Sequence, residues 1–408
     1  MGCPAFDPFT PEYQTDPYAV FAQLRAEAPV RYEPGLDHWV VSRHADVRAV
    51  LADPATYSAR NAVSPLVRFS DEQVQLLRAG GFTVPPLLVN LDPPEHARAR
   101  RMTGRAFTPR RLSGLAPVVR KLIEAHIDDF PPGGPVDAVA GLAYDLPAQV
   151  LFVLLGIPEA DVPRIKHWAD DRLVLIWGRP GPEEQTELTR RTVEFWHYCQ
   201  ELVAARLANP GDDLPSELLF DTETPEPLTH NEVATVVFGL LLAGHETTTN
   251  LIGNTLLRVL GVPGLWERLR ADPDLIPAAV EEVLRLESSV PIWRRVTTRA
   301  VQLGGVELPA GSRLLMLLGS ANHDEAVFDR PHELDLDRPN AREHLSFGFG
   351  IHFCLGATLA RMEVRTALEV LAERLPGLRL TQPQEIEFPA NLSFRGPSRL
   401  LIEWDAGP

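Results

Sequence analysis

A long run of helical periodicity, from about His230 to Leu260, limits what this chain can fold into. Apolar residues recur there at spacings of three and four, and Thr229 with Glu232 forms a capping box at its start. These 31 residues, at about 1.5 Å each, give a helix of roughly 46 Å, which is long enough to cross a whole domain. Because residues 233–243 are nearly all apolar, we expect this helix to be buried on most sides.

Helical periodicity also dominates the rest of the chain, and strand-like segments are short. Further helices are predicted over residues 115–129, 143–155, 183–208, 274–287 and 356–374. Strands are predicted over residues 30–32 with 39–41, 302–303 with 306–308, and 313–318. Because strands and helices do not alternate, a doubly wound sheet is disfavoured. The prediction is a mainly α fold with small antiparallel β-sheets.

Composition disfavours several classes of protein. The 408 residues are 45% hydrophobic and 23% charged, as in an ordinary globular chain, and the net charge of −16 argues against a nucleic-acid binder. Three cysteines, Cys3, Cys199 and Cys354, form too sparse a set for a disulfide framework and fit a reducing compartment. No apolar run approaches the roughly 20 residues that a membrane helix needs, and the N-terminus has no signal-peptide pattern. We therefore expect a cytoplasmic protein with no membrane partner.

The segment most informative about chemistry is residues 347–356, FGFGIHFCLG, which runs into the predicted helix. It brings Cys354 to a helix N-terminus, where the helix dipole stabilises a thiolate. Gly350 and Gly356 would permit close approach by a flat, bulky group. A dinucleotide loop would need a third glycine, a phosphate loop would need a lysine, and a zinc site would need more ligands than His352 and Cys354. A lone cysteine is usually a small core residue, which does not explain this loop.

The middle of the long helix carries a second unusual segment, AGHET, at residues 243–247. Gly244 costs about 1 kcal/mol of helix propensity relative to alanine, and a buried carboxylate such as Glu246 needs a partner. One interpretation is an exposed acid near a helix bend. The other is a bulge beside a ligand, with an acid and the Thr247 hydroxyl at the edge of that ligand.

Taken together, these segments resemble the cytochrome P450 family. The spacing Phe347-x-x-Gly350-x-x-x-Cys354-x-Gly356 matches the haem-thiolate signature, and residues 243–247 are similar to the oxygen-activating segment. Three more matches follow in the family's order: Glu282-x-x-Arg285, the meander at 337–340 whose Arg338 completes an ion network, and the segment 92–100. The resemblance spans residues 17–404, and segments 319–324 and 391–397 are most similar to haem domains fused to flavin and iron–sulfur reductases.

The resemblance implies one haem domain over residues 1–408, in the cytochrome P450 fold with a buried haem b. Cys354 would be the iron ligand, and Glu246 and Thr247 would relay protons during activation of O2. The implied cofactor-binding residues are His96, Arg100, Ala243, Gly244, Arg295, Phe347, Gly348, His352, Cys354 and Gly356. The implied substrate pocket is apolar and comprises Leu87, Leu88, Leu240, Val290, Ile292, Leu392 and Phe394.

The implied activity is insertion of one oxygen atom from O2 into a hydrophobic or aromatic small molecule, and no fixed charge stands out to hold an ionic substrate. Electrons would come from NAD(P)H through an acidic ferredoxin and a ferredoxin reductase to a monomeric enzyme. The proposed docking patch comprises Arg98, Arg100, Arg101, Arg105, Arg110 and Arg111, extended by Arg361 and Arg365. A merely solvated helix face is the alternative for these arginines. Oxidative coupling or demethylation of a natural product, and a non-catalytic haem or gas sensor, remain alternative functions.

Overall fold

Residues 6–82, 86–222 and 226–405 are described by a computed structural model of the chain. They fall into two units. The first unit comprises residues 1–61, 114–146 and 247–408, and the second comprises residues 62–113 and 147–246. Cys3 lies outside the described residues, and a single domain over residues 1–408 stays a prediction.

Helices form most of the described chain. The α-helices are α1 (Pro11–Thr15), α2 (Pro17–Glu27), α3 (His44–Ala52), α4 (Asp71–Ala79), α5 (Glu95–Gly104), α6 (Pro109–Asp128), α7 (Leu146–Leu155), α8 (Val162–Trp177), α9 (Pro182–Ala208), α10 (Leu214–Leu219), α11 (His230–Ala243), α12 (Glu246–Gly261), α13 (Leu265–Ala271), α14 (Ile276–Leu286), α15 (Leu318–Ala321) and α16 (Ala357–Arg374). Short 3₁₀ turns cover Leu88–Asn90, Arg105–Phe107, Glu159–Asp161, Pro273–Leu275, Ala341–Glu343 and Gly350–His352, and a π-helical turn covers Val139–Ala143.

The strands are short and belong to the first unit. They are β1 (Val30–Glu33), β2 (His38–Val41), β3 (Tyr57–Ser58), β4 (Val136–Asp137), β5 (Ile292–Thr297), β6 (Val301–Leu303), β7 (Val306–Leu308), β8 (Arg313–Leu317), β9 (Arg379–Leu380) and β10 (Leu401–Glu403). They form a five-stranded sheet in the order β1-β2-β8-β5-β3, a three-stranded sheet β4-β10-β9 and the hairpin β6-β7. The predicted mainly α fold with small sheets is confirmed.

One strand pair departs from the prediction of purely antiparallel sheets. Strand β2 pairs with β8 in parallel, with Trp39 opposite Leu314, whereas β8 pairs with β5 in the antiparallel sense. Parallel strands need a long crossover connection, and more than 250 residues separate these two strands along the chain. Local periodicity carries no information about such a distant pairing.

A hydrophobic core packs against this five-stranded sheet. Val30 and Val41 from the first hairpin meet Val47 and Leu51 of α3, together with Met316 of β8. This core joins the first hairpin and α3 to the later strands of the first unit, and β5 and β8 are neighbours in the sheet. The position of strand β5 is therefore fixed by its pairing within the sheet.

The described part of the second unit contains helices and connecting loops but no strand. Helix α11 packs against α8 and α9 there, and α9 also packs against α4. Aromatic rings fill the space between these helices: the Phe195 and Phe238 ring centroids lie 4.8 Å apart, and Phe82 meets both Phe238 and Trp196. Aromatic clusters of this kind bury a large apolar area and fix helix positions.

The single long helix predicted over residues 230–260 is in fact two helices. The predicted capping box of Thr229 and Glu232 begins α11, which ends at Ala243, and α12 begins at Glu246. Gly244 closes α11 by donating its amide hydrogen to the Leu240 carbonyl, with N and O 2.8 Å apart. Within the described ranges, no helix is both long and apolar enough to span a membrane.

Candidate active site

The loop before α16 holds Cys354 through its backbone. The amide of Cys354 donates to the Phe347 carbonyl over 2.8 Å, and the intervening Gly348 and Gly350 both have φ of +71°. This left-handed conformation strongly favours glycine. A Cβ at Gly350 would also lie 2.7 Å from the Leu51 carbonyl oxygen of α3. The glycines of the motif are therefore required for backbone reasons, and they place the Cys354 side chain on the loop surface, where it is exposed.

An ion pair braces the other side of this loop. The Arg361 guanidinium of α16 lies over the Phe347 ring at 4.5 Å and donates to Glu281 of α14. Burial alone would raise the pKa of Glu281, but hydrogen bonds from His344 and Arg361 outweigh burial and lower that pKa to about 2. Arg361 therefore has an acidic partner within the protein, and its place in the docking patch stays a prediction. The Phe347 ring therefore contacts Arg361, while its backbone carbonyl accepts the hydrogen bond from the Cys354 amide.

The predicted ion network of α14 is present. Arg285 donates to Glu282 over 2.8 Å, and Arg338 donates to the same carboxylate over 3.0 Å. Glu282 and Arg285 are almost completely buried, at 1% and 0% exposure of their side chains. Arg285 also donates to the carbonyls of Asn322 and Pro331. These contacts satisfy the buried charges within the protein, as expected for a structural network.

Strand β5 carries Arg295, which is predicted to bind a haem carboxylate. Arg295 is 2% exposed, its carbonyl accepts from the Asn61 side chain over 3.1 Å, and its guanidinium donates to the Arg294 carbonyl over 2.8 Å. His352 is half-buried at the end of the 3₁₀ turn before Cys354. Both side chains remain predicted carboxylate partners, and β5 fixes the backbone of the first.

Helix α12 begins with the predicted acid–alcohol pair. Thr247 is half-buried, whereas Thr248 and Thr249 behind it are buried, and the Thr249 hydroxyl donates to the Ala143 carbonyl over 2.9 Å. The three threonines therefore differ in surroundings. Thr247 is the one whose side chain is accessible, as its predicted role requires.

Helix α11 presents an accessible apolar stripe in the second unit. Val236, Gly239 and Leu240 are half-buried and Ala243 is exposed, while the rest of the helix from Val233 onward is buried. These positions recur at spacings of three and four, so they share one face. A Cβ at Gly239 would lie 3.4 Å from Leu87, which places that predicted pocket residue beside the stripe. The stripe contains the predicted Leu240 and Ala243, as an apolar ligand wall would.

Gly244 has a packing reason for being glycine. A Cβ there would lie 2.8 Å from Leu151 of α7 and 2.8 Å from the Leu240 carbonyl oxygen, and both atoms belong to the same unit. The sequence left two interpretations open here, an exposed acid near a helix bend and a bulge beside a ligand. In the structure Leu151 also excludes a side chain at this position, and cofactor contact by Gly244 stays a prediction.

The acid of the pair has neighbours that the sequence analysis missed. The carboxylates of Glu246 and Asp170 and a ring nitrogen of His245 all lie within 4.8 Å of one another. Burial lowers the pKa of His245 to about 3, assisted by the nearby Lys166 ammonium, so this imidazole is neutral at pH 7. Lys166 and Asp170 are one turn apart on α8. That spacing was the only available signal, and charged pairs on helices are usually surface features.

Helix α5 carries His96 and Arg100 four residues apart, and His96 is buried while Arg100 is half-buried. The surrounding arginine cluster is partly neutralised: Arg98 pairs with Glu232, Arg111 with Glu217, and Arg105 with Asp221 over 2.8 Å. Only part of the predicted docking patch is therefore free of these acidic partners. The exposed members of the predicted set are Arg101, Arg110 and Arg365.

The predicted pocket residues differ in burial. Ile292 and Leu392 have no exposed surface, Leu87 is 3% exposed and Phe394 is 9% exposed. Leu88 and Val290 are half-buried. Ile292 lies opposite Leu317 in the sheet and the Leu392 side chain is equally enclosed, so both contribute to the protein core. Their contact with a substrate stays a prediction.

The class of protein follows from comparison with known chains. A family model for cytochrome P450 matches residues 200–376. Cytochrome P450 107B1 of Saccharopolyspora erythraea is 36% identical over 402 residues, 97% of this chain and 96% of that protein. Mycinamicin IV hydroxylase/epoxidase of Micromonospora griseorubida is 36% identical over 395 residues, 94% of each. The structure of cytochrome P450 CREJ in complex with (4-ethylphenyl) dihydrogen phosphate superposes with a TM-score of 0.95 at 37% identity, covering 99% of this chain and 100% of that one.

The chain therefore belongs to the cytochrome P450 family, and it is a haem-thiolate monooxygenase, an oxidoreductase. Its first unit carries residues that suit haem. Of the two described cysteines, Cys199 is buried, where burial raises its thiol pKa, whereas the Cys354 thiol is exposed. Beside that thiol, Ile351 and Phe353 are 37% and 41% exposed, an apolar surface that suits a porphyrin. A soft thiol, apolar side chains and the buried cation Arg295 match the iron, the ring and the carboxylates of haem.

Proposed function

We propose that this enzyme inserts one oxygen atom from O2 into a hydrophobic or aromatic small molecule, with Cys354 as the iron ligand. The carrying observation is that Cys354 is an exposed thiol on a glycine-rich loop, whereas Cys199 is enclosed in the core. The apolar stripe of α11 supports an apolar substrate. The structural relative bound to (4-ethylphenyl) dihydrogen phosphate supports an aromatic one.

Bound haem would supply the iron at which O2 is activated, and the protein supplies ligation, protons and shape. Cys354 would be the iron ligand and would supply thiolate electron density, and the hydrogen bond from its amide to the Phe347 carbonyl holds its backbone in place. Arg295, His352, His96 and Arg100 would neutralise the haem carboxylates through charge-assisted hydrogen bonds. The glycines at 348 and 356, with Ala243 and Phe347, would shape the surfaces against the ring.

Glu246 and Thr247 move protons in this proposal. The Thr247 hydroxyl would hold a water molecule. Glu246, in its protonated carboxyl form, would pass its proton to that water and take another from solvent, which is a general-acid task. Asp170 and the neutral His245 belong to the same polar cluster, and both lie close enough to shape the charge around Glu246. A proton supply of this kind has no use in a gas sensor, so it favours catalysis.

We further propose that electrons reach the enzyme from NAD(P)H through an acidic ferredoxin and its reductase. The exposed Arg101 and Arg110 are the cations of the predicted patch in the second unit that no described acid neutralises. An acidic partner would be attracted to them electrostatically. A monomer is sufficient for this scheme.

The iron-ligand assignment is tested with Cys354→Ala. The reduced protein with carbon monoxide should lose the red-shifted Soret band that thiolate ligation gives, because alanine has no sulfur to offer. The matched control is Cys199→Ala, which removes a buried sulfur and should keep the band. Substrate-stimulated consumption of NAD(P)H with a surrogate ferredoxin system then separates an oxygenase from a sensor. A Cys354→Ala protein that kept the band would refute the assignment.

A further inference from the structure

Arg172 of α8 is a buried cation that has no counter-ion among the residues that the structure describes. Its side chain is 2% exposed, and neither Nε nor Nη1 has a hydrogen-bonding partner within the described ranges. The adjacent Asp171 does not serve, because it accepts from Arg191 over 3.1 Å. Among the described residues, the contact recorded for the guanidinium is with the Phe82 ring, 5.6 Å from its centroid.

Burying the Arg172 guanidinium costs free energy of folding unless another group pairs with it. Burial lowers the pKa of the Arg172 guanidinium to about 10, so the group still carries its charge at neutral pH. A cation over an aromatic face is stabilised only modestly, whereas a buried unpaired charge loses most of its hydration energy. Natural proteins rarely keep such a group without a partner. The missing partner of a planar guanidinium is characteristically an oxyanion, which it binds through two parallel hydrogen bonds.

The surroundings of Arg172 connect it to the apolar wall of the second unit. Phe82, under the guanidinium, packs against Phe238 of α11 at 5.8 Å and edge-on against Trp196 at 6.0 Å. Phe238 lies on a different, buried face of α11 from the accessible stripe of Gly239, Leu240 and Ala243. Leu87, five residues after Phe82 in the chain, lies beside Gly239 of that stripe. Helix α8 itself packs against α11. Phe82, the ring beside the Arg172 guanidinium, and Leu87, which lies beside the predicted substrate wall, are therefore close together in the sequence.

We propose that Arg172 is a specificity-determining residue that binds the carboxylate or phosphate monoester of an otherwise apolar, aromatic substrate. This rests on the proposed monooxygenase function and departs from the expectation that no fixed charge holds an ionic substrate. The apolar wall would take the body of the molecule, and the guanidinium would take its anionic end. No covalent step involves Arg172.

The test measures binding to the haem-loaded enzyme by isothermal titration calorimetry, which does not depend on turnover. The probes are 4-ethylbenzoate, 4-ethylphenyl phosphate and the uncharged isostere 4-ethylbenzamide. The wild-type enzyme should bind at least one anion about 10- to 100-fold more tightly than the amide, as expected for hydrogen bonds to a charged group. Whichever of the two anions binds more tightly shows whether the substrate carries a carboxylate or a phosphate monoester. Arg172→Met should abolish the preference while leaving the affinity for the amide unchanged, and Arg172→Lys should keep part of it.

The matched control is Arg190→Met on α9, because Arg190 is exposed and already pairs with Glu187. It should leave all three affinities unchanged. The proposal is overturned if wild type binds the amide as tightly as both anions, or if Arg172→Met keeps the preference. The melting temperature without ligand is an independent measurement: Arg172→Met should match or exceed wild type, because a buried charge has been replaced by an apolar chain of similar volume.

Two further measurements keep the outcomes distinct. If Arg172→Met does not fold, Arg172→Gln retains a polar side chain without the charge and must also lose the preference. If the wild-type enzyme showed no thiolate Soret band, the proposed function would be refuted. Calorimetry would still measure whether Arg172 makes the protein prefer an anion. A normal band together with equal affinities for anion and amide would refute this proposal alone.

Discussion

Glu246 and Thr247 are adjacent in the chain, yet their surroundings differ. Glu246 belongs to a polar cluster with Asp170 and His245, and the neighbouring Lys166 is 1% exposed. Thr247 lies one residue further along, half-buried, in front of the buried Thr248 and Thr249. A carboxylate with polar neighbours and an accessible hydroxyl suit the two ends of a short proton path.

The hydroxyl of Thr247 is therefore expected to control coupling rather than cofactor binding. Thr247→Ala should still bind haem and consume NAD(P)H, but a larger fraction of the electrons should appear as hydrogen peroxide instead of product. Thr247→Ser restores a hydroxyl and should restore most of the coupling. The measurement is the ratio of product and peroxide to NAD(P)H consumed. Full coupling in Thr247→Ala would show that this hydroxyl has no role in proton delivery.

Residues differ in how far the sequence could predict them. The glycine-rich loop that presents Cys354 was predictable, because its glycines stand at fixed spacings where the backbone has positive φ and approaches Leu51 closely. Arg172 was not, since one arginine on a helix ordinarily faces solvent and only the fold shows that it is enclosed. Asp170 was missed for the same reason.

Helix α16 links the cysteine loop to a buried acid. Glu363 is 2% exposed, and its Oε2 has no hydrogen-bonding partner within the described part of the chain. Burial raises the pKa of Glu363 to about 8, from an ordinary value of 4.5. The side chain is thus protonated in the folded protein at neutral pH, and the same carboxyl is ionised in the unfolded chain.

Glu363 should therefore make the protein less stable as pH rises. The folded state holds a proton that the unfolded state releases above pH 4.5, so stability falls between pH 4.5 and about 8. Glu363→Gln removes the ionisable group and should flatten the fall in melting temperature across that range. Glu373→Gln is the control on the same helix, because Glu373 is exposed and pairs with Arg120. Equal pH profiles for Glu363→Gln and wild type would contradict this assignment.

At the level of elements, hydrophobic periodicity predicted which helices exist better than it predicted how strands pair or where a helix breaks. Helices α9 and α16 agree with the predicted segments to within one residue. Strand β5 was missed, because Ile292–Thr297 buries Arg294 and Arg295 and so lacks the apolar alternation of a half-buried strand. The break between α11 and α12 depends on Leu151 of a different helix, which local patterns do not include.

The whole molecule carries a net charge of −16, which would affect how it meets the acidic electron donor proposed above. Two acidic proteins repel at long range, so productive encounter requires a local cationic surface. Several arginines of the predicted patch are occupied by Glu217, Asp221 and Glu232. The remaining exposed pair, Arg101 and Arg110, must then contribute most of the local attraction in the second unit.

Reversing one of these charges should slow electron transfer without altering the enzyme itself. Arg110→Glu is expected to lower the rate of reduction by an acidic ferredoxin by about 10-fold at low salt, an effect on encounter that falls as ionic strength rises. Reduction by dithionite, which needs no docked protein, should stay unchanged. Arg190→Glu makes the same charge change on α9, away from the predicted patch in sequence, and should have a smaller effect. A rate that is equally low in both variants would mean that total charge governs encounter, whereas an unchanged rate in Arg110→Glu would exclude Arg110 from the docking surface.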